Sequence, residues 1–71
     1  MMTRYALLYE RLSRETHQPE TVVSYYAENA ITTERREIIA APRSEAEQMM
    51  IAQGWRYAKS AGPGSILMQH E

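Results

Sequence analysis

With 71 residues and no staple in sight, the chain is one domain, 1–71, because below ~80 residues a single core barely offsets chain entropy. It has no cysteine and no Asp, and its two imidazoles, His17 and His70, lie far apart, which argues against disulfides, thiolate chemistry and a metal centre. A net charge of −1 indicates neither a basic nucleic-acid footprint nor an acidic mimic of one.

Met1 to Arg4 leads into no apolar run of signal-peptide or membrane-span length, so a cytoplasmic protein with no membrane role is expected. Tyr5 to Leu12 is short and rich in Leu and Tyr. As a strand it sets Tyr5, Leu7 and Tyr9 on one face and Ala6, Leu8 and Leu12 on the other, with both faces partly buried. Ser13 to Gln18 is a polar loop.

Residues 19–30 carry two signals. Pro19 with Glu20 behind it suits a first helical turn, and Val22, Tyr25, Tyr26 and Ala30 recur at helical spacing. The run Thr21 to Tyr26 is nevertheless dense in β-branched and aromatic residues, which favours a strand. Glu28-Asn29-Ala30 then forms a hairpin turn, and Ile31 to Ala40 the second arm, ended by Pro42.

Ser44 and Glu47 have capping-box spacing, and Gly54 supplies a stop, which predicts a short helix over about 44–53. Its apolar side comprises Ala46, Met49, Met50 and Ile51, and at this length it must lie on a sheet. Trp55 to Lys59 and Ser65 to Met68 read as strands around Gly62-Pro63-Gly64, whose type II turn chemistry predicts a loop longer than two residues. The expected fold is α+β: an antiparallel sheet of four to five strands with the one short helix packed on one face.

Nothing in this order builds an active site. Ser13, Ser24, Ser44, Ser60 and Ser65 lie in no nucleophile elbow, and no Asp exists to orient a histidine. Glu34 and Glu37 are separated so that a strand projects them to opposite faces, and Pro63 removes an amide from the only glycine cluster. The chain is therefore expected to be no enzyme and to use no cofactor. His17 and His70 read as surface residues, Trp55 and the Met49-Met50 pair as core.

The remaining signal is a binding inventory. One short helix covers one sheet face, so aromatics on the other must be solvated, self-paired or docked on a partner. Tyr5, Tyr9, Arg11, Arg35, Arg36, Arg56, Tyr57 and Lys59 are the partner-binding candidates, of residue types enriched at interface hot spots. Tyr25 is a further aromatic that could stand there. Seven of the eight basic residues are Arg, the cation of bidentate and stacked contacts, although GC-rich coding explains the same bias. A noncatalytic protein-binding module is the leading reading. An aromatic and Arg sheet face for nucleic acid is the runner-up, lacking an RNP1-like run and any Phe. A self-assembling homodimer is the third.

In size, in the lack of a catalytic set and in the order of strands, short helix and closing strands, the chain resembles small phage-encoded inhibitors of bacterial defence, such as anti-CRISPR proteins. The resemblance spans most of the chain as element order and transfers no residue. It implies inhibition by surface occlusion, with a protein or ribonucleoprotein partner in the host cytoplasm.

Overall fold

The computed structural model describes residues 3–27 and 33–71. Within them run β1 (Arg4–Leu12), β2 (Pro19–Ala27), β3 (Arg35–Ile39), α1 (Arg43–Ala52), β4 (Arg56–Ser60) and β5 (Ser65–His70). The strands form a single five-stranded sheet in the order β3-β2-β1-β5-β4, with every neighbouring pair antiparallel. The α+β arrangement expected from sequence is thus present, with five strands.

Period-two alternation decides which side of the sheet becomes the core. Ala6 and Leu8 of β1, Val23 and Tyr25 of β2, and Ile66 and Met68 of β5 are buried together under α1, which adds Ala46 and Met50. Ile39 and Trp55 pack against this cluster. The helix lies on β1 and β2 as the chain crosses from the β3 edge to the β4 edge. β4, paired only with β5, therefore lies beyond its cover, and all five of its residues are exposed.

Residues 19–27 are a strand, not a helix. The helix-like spacing loses because β2 sits between β3 and β1 and buries Thr21 to Tyr25 on both faces, where β-branched and aromatic side chains fit a pleated surface. Pro19 opens the strand, the position at which a missing amide costs least. The proposed turn at 28–30, and residues 31 and 32 of the second arm, lie outside the described residues. The arm itself pairs with β2 over Arg35–Ile39.

The helix begins two residues earlier than the capping box places it. Pro42 is the N-cap, and no side chain caps from within the helix, so Ser44 and Glu47 do not form the expected box. Instead Glu10 of β1 accepts a hydrogen bond from the Arg43 amide at 2.9 Å. A carboxylate there satisfies one orphan donor and meets the positive end of the helix dipole. The buried stripe is narrow: Ala46 and Met50, one turn apart, are buried, whereas Met49 and Ile51 are exposed. At the C-terminus Trp55 N–H donates to Met50 C=O at 3.1 Å and Gly54 N–H to Ile51 C=O at 3.0 Å, the paired bonds of a Schellman stop. Gly54 takes the required left-handed conformation at φ 98°.

The last hairpin closes as expected. Ser65 N–H donates to Gly62 C=O at 3.1 Å across Pro63 and Gly64, with Gly64 at φ 72°, as a type II turn demands. Tyr25 locks the helix side together: its hydroxyl donates to the Glu37 carboxylate of β3 and touches Met50 Sδ, and its ring meets Trp55 edge-on at 5.7 Å. Burial, and then the adjoining Glu37 carboxylate, push the Tyr25 phenol up to about 12.

Candidate functional site on the open sheet face

The face opposite α1 is covered by no described element, and strand register fixes what stands on it. Residues paired across an antiparallel ladder point to the same side. One row runs through all five strands as Arg36, Ser24, Leu7, Leu67 and Lys59. On one side of it lies Tyr26, Tyr5, Gln69 and Arg56, and on the other Ile38, Val22, Tyr9 and Ser65. Arg11 and Glu20 form the next pair beyond Tyr9 and Val22.

The centre is apolar and close-packed. Val22 and Ser24 are only 3% exposed although no described element lies over them. Tyr5, Leu7, Tyr9, Tyr26 and Leu67 are half-buried, and Ile38 at the β3 edge is 55% exposed. Cations ring this centre. Arg11 donates to Glu20 at 2.8 Å, and that hydrogen bond holds its guanidinium pKa above the ordinary Arg value. Arg56 reaches Glu71 at 3.3 Å. Arg36 and Lys59 make no ion pair among the described residues, and both are exposed.

Six of the eight candidate residues therefore share this face: Tyr5, Tyr9, Arg11, Arg36, Arg56 and Lys59. Arg35 and Tyr57 do not. Arg35 pairs with Tyr25 across the ladder, stands on the helix side with its guanidinium 4.1 Å from the Tyr25 ring centre, and bonds Glu37 at 3.6 Å. Tyr57 pairs with Met68, also on the helix side, where it is 52% exposed because α1 does not extend over β4. Tyr25 is core. Simple alternation along β4 would put Arg56 and Lys59 on opposite faces. A bulge between Tyr57 and Lys59 inserts Ala58 and returns Lys59 to the side of Arg56.

Sequence reasoning missed the residues that make this face continuous: Leu7, Val22, Tyr26, Ile38 and Leu67. Leu7 was legible from its place between Tyr5 and Tyr9. The others needed the assignment of β2 as a strand and the long-range pairing of β1 with β5.

Among the described residues no group of three or more His, Cys, Asp or Glu could hold a metal ion. A hollow of about 50 Å³ between Arg4, Tyr5, Tyr26 and Trp55 is far below the size of a ligand pocket. A broader depression of about 470 Å³ beside Arg11, Arg14, Glu15 and Ile38 reaches ligand-pocket size but is lined mainly by exposed side chains. Among the described residues no helix is long and apolar enough to cross a membrane. No family model matches the chain, and no curated protein or solved structure matches it either.

Proposed function

We propose that this chain is a noncatalytic protein-binding domain that docks through the open face of its sheet. The observation that carries the reading is the apolar and tyrosine-lined centre ringed by cations on a face that no described element covers. That pattern of apolar core and polar rim is the anatomy of a protein interface, and Tyr and Arg are its usual anchors. In the setting implied by the resemblance to small phage-encoded inhibitors, the domain acts by occlusion, covering a working surface of a host defence protein or ribonucleoprotein.

A nucleic-acid reading has one supporting observation, the three tyrosines Tyr5, Tyr9 and Tyr26 on an open sheet. It is weaker because the middle row is aliphatic, with Leu7 and Leu67 where a stacking platform would carry rings.

Affinity capture from the cells of origin tests the proposal. Leu7→Ser with Leu67→Ser, checked for folding by circular dichroism, should lose the captured protein. Met49→Glu on the helix side should retain it. Capture that survives the first variant and fails with the second would overturn the assignment of the face, and turnover of a substrate by the purified domain would overturn the noncatalytic reading.

A further inference from the structure

The row from Arg36 to Lys59 says more about the occupant than the face as a whole. Its two ends are the cations of this face that pair with no carboxylate among the described residues, and its middle is Ser24, Leu7 and Leu67. Four strand spacings separate the end residues, so at ~4.8 Å each their Cα atoms stand about 19 Å apart. The flexible side chains add reach at both ends.

We infer that the occupant is an acidic protein segment that lays an apolar ridge along the Ser24, Leu7 and Leu67 row and sets carboxylates against Arg36 at one end and Lys59 at the other. The inference rests on the reading of this face as a protein-binding surface and names the partner's chemistry. A helix spanning ~19 Å has about 13 residues, roughly three and a half turns, with acids near both ends and apolar residues between. A partner without those acids would desolvate two charges and leave them unpaired, which is the usual source of discrimination at such a rim. Arg11 and Arg56 add less, because Glu20 and Glu71 already occupy them.

Charge argues against the other occupants. A second copy packed face to face needs a two-fold axis in the plane of the interface. With the axis along the strands, Arg36 of one copy meets Lys59 of the other, and with the axis across them, Arg36 meets Arg36. Both juxtapose like charges. For a single-stranded nucleic acid, the unpaired cations stand at the two extremes of the face rather than tracking a backbone, and the row between them holds no ring.

Selection from a phage-displayed library of random peptides of ~20 residues against the full chain tests this without knowing the partner. Selected peptides should converge on an apolar stretch flanked by Asp or Glu. A labelled consensus peptide should bind about tenfold or more weakly to the Arg36→Glu, Lys59→Glu variant, and equally to Glu45→Lys. A peptide with lysines in place of those acids should prefer the charge-reversed variant. Arg36 and Lys59 are exposed on edge strands and form no ion pair among the described residues, so the variant is expected to stay folded. Peptides that require Leu7 and Leu67 but show no acidic flanks and ignore the charge reversal would overturn this inference and leave the protein-binding reading standing. No peptide sensitive to either pair would overturn both. So would an oligothymidylate that binds more tightly than any peptide and is lost on charge reversal, or a dimer in sedimentation that hides the face.

Discussion

Removing the Tyr25 hydroxyl should change how the stability of this domain responds to alkali, and the size of the change follows from the surroundings of the ring. Tyr25 is 8% exposed, donates to Glu37 and has its phenol pushed up to about 12 by burial first and by the Glu37 carboxylate next, with Arg35 opposing. In the unfolded chain the phenol titrates near ~10. Between those values the native state keeps a proton that the unfolded state releases, so stability is fully present below pH ~10 and falls as pH rises through ~12. The linkage relation gives a loss of about 1.4 kcal/mol at pH ~11 and about 2 kcal/mol at pH ~12. Tyr25→Phe keeps the ring and its edge-on contact with Trp55 but has nothing to titrate. At pH ~8 it should cost about 1 kcal/mol, the net worth of one hydrogen bond to a partly exposed carboxylate. The two stability curves should therefore cross near pH ~11, with the variant the more stable above it. Urea denaturation followed by circular dichroism from pH ~8 to ~12 measures both. A constant offset between wild type and variant across that range would mean that the Tyr25 phenol is not shifted by folding.

Three further pairs of substitutions test how the elements are held. Glu10→Ala should cost about 0.5–1 kcal/mol by stripping the acceptor from the Arg43 amide, whereas Ser44→Ala should cost almost nothing; equal losses in urea midpoint would restore the capping box. Gly54→Ala should cost about 2 kcal/mol or more, because the site has φ 98° and the added Cβ would come within 2.8 Å of His70 Nε2. Gly64→Ala meets only the strain of φ 72° in open space and should cost about 1 kcal/mol, so the ranking of the two melting temperatures is the check. Met50→Ala, at a side chain 1% exposed, should cost about 2–4 kcal/mol, while Met49→Ala, 48% exposed, should stay within about 0.5 kcal/mol.

What could be read in the sequence was local. Alternation in β1 set Leu8 on the face opposite Tyr5 and Tyr9, without telling which face is the core, and Gly62-Pro63-Gly64 announced its turn, because both depend on neighbours along the chain. The helix start was misread because its acceptor, Glu10, lies 33 residues upstream, where no local pattern points to it. β2 looked ambiguous because a strand buried on both faces loses the alternation that marks a half-buried one. The candidate face was half legible, because its membership depends on long-range register. Residue types pointed to Tyr5, Tyr9, Arg11, Arg36, Arg56 and Lys59, but only the register separates Arg36 from Arg35, and only the Ala58 bulge brings Lys59 round to join Arg56 while Tyr57 stays on the helix side.

Photocrosslinking reports directly which face of the sheet docks and on what. A photoreactive amino acid placed in turn at Tyr9, Arg36 and Lys59 on the open face, and at Gln48 and Met49 on the helix, is irradiated in the cells of origin and the adducts identified by mass spectrometry. Docking of a protein on the open face predicts that all three open-face positions capture the same protein and that the helix positions do not. Capture from the helix positions alone, or open-face adducts only to nucleic acid or to a second copy of the chain, would contradict it.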